Sequence, residues 1–272
     1  MLEPGKIIIG ALAAVFIGVS KAGFGGGLGM LTTPLCVLAF GPKEALGIVL
    51  PMLCAGDLFS LIHYWGKWKK ENLWYLLPGV VAGVLIGVRL IGRFSARQLN
   101  VAIGSLAVGF VIFQLLRETI FRAEGKFSPR FGLGFLFGTA TGVASTFAHG
   151  AGPVVAMFLI PQRLPKIVFV GTTVLIFTWV NWIKMPFFLL DQSVIPLSWL
   201  PAESIINGQT IRWSLALIPL VPAGVWLGVQ LNRRFSETWF TRAIYALLFL
   251  TGLQLIFEFD LAGWLHALIR AS

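Results

Sequence analysis

Charge is the scarcest commodity in this chain. Only 12% of its 272 residues are Asp, Glu, Lys or Arg, where a soluble globular domain carries about a quarter. A chain so composed has too little polar surface to cover itself in water. The signatures of soluble enzymes are missing as well: there is no GxxxxGK[ST] loop, no HExxH, no GxSxG and no CxxC. Gly25-Gly26-Gly27 is not a nucleotide loop, because its context is apolar and no strand precedes it. No cofactor, metal or nucleotide site is therefore expected. The two cysteines, Cys36 and Cys54, lie inside apolar stretches and read as small buried hydrophobes rather than a disulfide or metal pair.

What the chain does have is apolar mass. Hydrophobic residues make up 57% of it, mean hydropathy is +0.86, and 10 Trp and 23 Phe suit lipid contact and interfacial belts. It is an all-α polytopic membrane protein by composition. The net charge of +10 falls mostly between apolar runs, as the positive-inside bias requires. Nucleic acid is excluded as a partner on this pattern, while membrane lipid and an anionic solute stay open. The first run, Lys6–Val19, has the length of a signal-peptide core, but a matching run recurs at Phe131–Ser145 where no signal could act. It reads as retained structure.

Five apolar runs occupy each half. They are Lys6–Val19, Leu28–Phe40, Ala45–Trp65, Leu73–Ile91 and Leu99–Leu116, then Phe131–Ser145, Pro153–Ile160, Ile167–Leu190, Ile211–Leu231 and Trp239–Phe257. Crossing the hydrocarbon layer takes about 20 apolar residues. The last three runs of each half reach or approach that length, whereas the first two fall short. The halves also match in sequence. Leu77-Pro78-Gly79 through Val88 resembles Ile218-Pro219-Leu220 through Val229, and Arg93-Phe94-Ser95 repeats as Arg234-Phe235-Ser236, an offset of 141 residues. Gly18-Val19 against Gly142-Val143, and Gly47 against Gly171, give an offset of 124. The difference of 17 places an insertion in Asp191–Thr210.

The predicted architecture is two inverted-topology repeats, each a short broken or re-entrant helix pair followed by three long transmembrane helices. Residues 1–122 form the first repeat, 123–130 a cytoplasmic connection, 131–258 the second repeat and 259–272 a C-terminal interfacial segment. Whether the short pair re-enters or spans, each half crosses an odd number of times, so the halves oppose one another. Arg117, Arg122, Lys126, Arg130, Lys67, Lys69 and Lys70 fall on one side, taken as the cytoplasm. In the re-entrant version Arg89, Arg93 and Arg97 are misfits on the other.

The breaks inside the short pairs are the expected site. Ser20-Lys21-Ala22-Gly23-Phe24-Gly25-Gly26-Gly27 interrupts the first pair, and Ser145-Thr146-Phe147-Ala148-His149-Gly150-Ala151-Gly152-Pro153 the second. Non-helical backbone cannot face lipid and must line a cavity or lie against protein. Each break offers a helix N-terminus to an anion, with Pro153 suited to the first turn of its helix. Lys21 either answers an anion or snorkels at a helix end. His149 is either an anion donor and proton shuttle or a packed histidine. Asp57 and Asn181 are equivalent at the 124 offset, and Lys184 lies one turn beyond Asn181. Asp57 is read as a proton-coupling group or as the partner of Lys21 or Lys184.

These residues resemble the sulfite exporter TauE/SafE family. The resemblance rests on Gly18 through Gly27, on the second break through Gly150 and Pro153, and on Asn181-Trp182-Ile183-Lys184-Met185-Pro186, with Asp57 and the basic stretch after His63. It runs from about Lys6 to Phe257. It implies a carrier in the bacterial inner membrane, not an enzyme, that moves sulfur-containing anions such as sulfite or sulfoacetate, usually outward; alternating access around the two breaks is the mechanism expected here. The substrate set expected is Ser20, Lys21, Gly25, Gly26, Gly27, Ser145, Thr146, His149, Gly150, Asn181 and Lys184, with Asp57 and His149 as proton-coupling candidates. A passive anion channel and a membrane-embedded sulfur-handling enzyme are the alternatives, and a homodimer is compatible with either.

Overall fold

The computed structural model describes residues 4–21, 29–120, 129–198, 200–234 and 237–259. Gly25, Gly26 and Gly27, most of the 123–130 connection and nearly all of the C-terminal segment lie outside the described residues. The described chain is helical: α1 Pro4–Lys21, α2 Gly29–Phe40, α3 Pro42–His63, α4 Glu71–Ile91, α5 Ala96–Ile120, α6 Phe131–Ala148, α7 Ala151–Leu159, α8 Lys166–Leu189, α9 Gly208–Leu217, α10 Leu220–Arg234 and α11 Glu237–Phe257. Among the described residues six helices are long and apolar enough to cross a membrane, and α9 with the start of α10 forms a seventh candidate bent by 43°. Large apolar side chains such as Ile62, Trp74, Leu115 and Trp226 stand exposed on the outside, where lipid would cover them. The protein is a multi-pass membrane protein.

Two of the expected short helices are longer than their apolar runs. α1 and α6 each have 18 residues, or roughly 27 Å at the usual rise. They gain that length by carrying Ser20, Lys21 and Thr146 inward, where protein, not lipid, surrounds those side chains. α2 and α7 are short, as expected. The bend near Pro219 has its own cause. α4 runs unbroken through the matching Pro78, but the second half adds Pro222 one turn on, and two missing N–H donors so close open the helix.

α3 is the most buried of the spans, and α8 packs along it. The backbone after α3 packs on the start of α8, where the carbonyl of Lys67 leaves no room for a Cβ on Gly171 and Lys69 N–H donates to Thr172 at 3.0 Å. The start of α3 packs on the segment after α8, with the Ile205 carbonyl against Gly47. The two central helices therefore run antiparallel.

α1 crosses α10 and α6 crosses α4, and both crossings depend on glycine. A Cβ added to Gly142 would meet the Val80 carbonyl oxygen at 2.5 Å and the Val84 nitrogen at 2.7 Å. One added to Gly18 would meet the same atoms of Val221 and Val225 at 2.1 and 2.6 Å. Val80 and Val84 correspond to Val221 and Val225 at the 141 offset, as Gly18 does to Gly142 at 124. The reciprocal contacts match too: Gly83 lies against the Thr139 carbonyl and Gly224 against that of Val15. Such close approach replaces the hydrophobic driving force that lipid removes.

The inserted segment between α8 and α9 is ordered. Asp191 accepts from the N–H groups of Ser193, Val194 and Ser204, and Leu200, Ile205 and Ile206 are buried. The bonds from Ser193 above all hold the Asp191 carboxyl below its ordinary value. Arg97, one of the misfit arginines, has a local task. It donates to the carbonyl of Leu255 at 3.1 Å, and to that of Ile256, at the end of α11, and pairs with Glu258 at 3.2 Å.

Gly142→Val should overpack the α4–α6 crossing and cost about 1–3 kcal/mol or more. Gly109→Val, where an added Cβ meets nothing within 4 Å, should be neutral. Melting temperature and monodisperse yield in detergent check the pair.

Candidate functional site

The ends of the broken pairs meet beside the α3–α8 centre. α1 ends on Lys21, whose Nζ pairs with Oδ1 of Asp57. The other carboxylate oxygen accepts from Nδ2 of Asn181 at 2.7 Å. Asp57 is fully buried, and both its oxygens face donors, the arrangement that suits an ionised carboxylate. Asp57 and Asn181 lie 124 residues apart, the offset of the sequence match, so this hydrogen bond joins two positions that match in sequence. Lys21 also lies over the ring of Phe177, 5.7 Å from its centroid.

A second cluster forms on the other break. Lys184 Nζ donates to the Ser145 carbonyl at 3.0 Å and the Ser145 hydroxyl at 2.8 Å, and lies 2.9 Å from Nδ1 of His149. The opposite ring nitrogen, Nε2, is 3.2 Å from the Leu46 carbonyl. A carbonyl only accepts, so Nε2 carries the proton and Nδ1 the lone pair. His149 has φ of 49°, a left-handed conformation that favours glycine. Its imidazole holds it there, bridging Lys184 to α3. Lys184 sits at the C-terminal turn of α6, where the helix dipole favours a cation.

Between the clusters lies a cavity bounded by Lys21, Ser20, Ser145, His149, Asn181 and Thr173, with Ile17, Leu53, Phe169, Val170, Val174, Phe177 and Val180 as its apolar wall. The space open to the centres of water-sized molecules is about 80 Å³, several times what one water needs. Ala151 and Gly152, the first turn of α7, also line it, and α7 has no side-chain cap. The α2 start differs, because Ser20 Oγ accepts the Gly29 N–H at 3.1 Å.

The structure thus brings Ser20, Lys21, Ser145, His149 and Asn181 to one cavity. Asp57 and Lys184 stand one layer behind it. Gly150 caps α7 and packs against Met30. Thr146 turns away, donating to the Gly142 carbonyl at 2.7 Å and packing on Gly87 at the α4–α6 crossing. Phe177 and Thr173 escaped the sequence reading. Their spacing of four and eight residues before Asn181 puts them on its helix face, which was the available signal.

A family model described as sulfite exporter TauE/SafE matches residues 10–255. The chain belongs to the TauE/SafE sulfite exporter family. No curated protein matches it, and no solved structure does. In this TauE/SafE member both breaks, both lysines and the whole cavity fall inside the matched span.

Removing Asp57 should leave Lys21 buried without its partner. Asp57→Ala is expected to lose about 3–5 kcal/mol, and Lys21→Met with Asp57→Leu to recover much of it. Thermal unfolding of the single and double variants in detergent checks this.

Proposed function

We propose that this TauE/SafE protein is a secondary carrier, not an enzyme, that exports small sulfur-containing anions such as sulfite or sulfoacetate across the bacterial inner membrane. It works by alternating access around a midplane site shared by two inverted halves. The antiparallel α3 and α8 and the atom-for-atom match of the two glycine crossings support the inverted plan.

The observation that carries the reading is two lysines brought to the protein interior beside a small cavity, with one carboxylate between them. Insertion scales put a central lysine at about 2.5–3.5 kcal/mol. Asp57 offsets one of them, and an anion in the cavity offsets the other. Lys21, Ser20, Ser145 and Asn181 would hold it, joined by the amides of Ala151 and Gly152 and by the Gly25–Gly27 and Gly150 breaks. Lys184 would act through Ser145 and His149. Thr146 would serve by keeping α6 against α4. Proton coupling would run through Asp57 or His149. The serine, asparagine and amide donors fit the oxygens of a sulfite or sulfonate group.

Proteoliposomes test the proposal. Wild type should show saturable flux and counterflow of sulfite and sulfoacetate, and Lys21→Ala should lower the flux roughly tenfold or more. Unchanged flux in the variant would remove Lys21 from the site, and non-saturating flux without counterflow would make the protein a channel.

A further inference from the structure

We propose that the hollow beside the loop between α3 and α4 binds the headgroup of an anionic phospholipid. The proposal stands apart from the carrier reading and uses none of the residues of the central cavity.

The loop joins two membrane spans, so it lies where the hydrocarbon layer ends. Its aromatic residues mark that depth. Trp65 and Trp74 are 70% and 77% exposed, and Ile62, one turn before Trp65, is exposed as well. Exposed indoles beside an apolar helix end are the pattern of an interfacial belt. A soluble anion would leave that apolar rim in water, whereas a phospholipid covers it with its own acyl chains.

The loop is also held to one shape. Gly66 has φ of 73°, a left-handed turn that lets Lys67 N–H donate to the Tyr64 carbonyl at 3.0 Å. Trp65 and Trp68 meet across it edge to face, with ring centroids 5.5 Å apart. The bond from Lys69 N–H to Thr172 ties the backbone behind them to α8. Trp65, Trp68, Lys69, Lys70 and Glu71 then bound an open hollow against Val168, and the space open to the centres of water-sized molecules is about 630 Å³. That is the size of a small-molecule pocket.

The charge of the hollow names the headgroup. Lys67, Lys69 and Lys70 stand together against one acid, Glu71. Among the described residues neither Lys69 nor Lys70 has a carboxylate at ion-pair distance, and Lys67 Nζ reaches the His63 carbonyl at 3.4 Å. Basic residues at the end of a span attract anionic lipid. A headgroup seated here bridges the loop to the first turn of α8, next to Phe169 and Val170 of the central cavity wall.

The full chain in detergent, given phosphatidylglycerol or phosphatidylcholine at equal mole fraction in mixed micelles, tests this by thermal shift. Phosphatidylglycerol should raise the melting temperature and phosphatidylcholine should not. Lys69→Gln with Lys70→Gln should need roughly tenfold more phosphatidylglycerol for half the shift. Lys69 holds Thr172 through its backbone, so that variant keeps the bond. Lys43→Gln with Arg212→Gln, which removes the same charge from exposed positions at the other end of α3, should respond as wild type. Trp65→Ala, at an exposed position, is the second variant and should weaken the response several-fold. Equal shifts with both lipids, or an unaltered response of both loop variants, overturns the proposal. So does a matching shift with glycerol 1-phosphate, which would make the hollow a site for soluble phosphate.

Discussion

Asp57 has an oxygen bound to each side of the molecule: one accepts from Lys21 at the end of α1, the other from Asn181 in the middle of α8. A carboxylate at such depth must find donors in place of water, and here one reaches each oxygen from two helices that are not neighbours in sequence. That requirement fixes how far α1 can reach inward and where α8 must stand. The glycine crossings follow from it. α1 reaches the centre because Gly18 lets it lie directly on α10, and a bulkier residue there would hold Lys21 off its partner.

Positions matched by the sequence offset carry different charges. Lys21 corresponds to Ser145, Asp57 to Asn181 and Ser60 to Lys184. The first half contributes an ion pair, and the second a lysine that finds neutral partners in Ser145 and His149. At a dielectric of about 20, unit charges 4 Å apart interact with about 4 kcal/mol. Moving any one of these charges to its repeat position would therefore rearrange the whole interior.

Much of this was legible in the sequence. The offsets of 124 and 141 located the equivalent glycines, and the structure turns those into matched helix crossings. The break at His149 and Gly150 was legible from the glycines and Pro153 that follow an apolar run. The pairing of Lys21 with Asp57 was one alternative among several, since sequence gives spacing along a helix but not which neighbour a face meets. For the same reason Thr146 was taken for a ligand when its side chain serves the α4 crossing, and Lys184 was placed in the cavity when it stands behind Ser145. The bend at Pro219 was hidden by its twin, because Pro78 occupies the same repeat position in an unbroken helix.

The ordered segment after α8 has a consequence for symmetry. Buried Leu200 and Ile205, with the Asp191 bonds, tie one end of the central pair to chain that the first half lacks. Two identical halves related by a two-fold axis would make every contact between them twice. Seventeen extra residues on one end break that equivalence, so the two ends of the α3–α8 pair are not held equally.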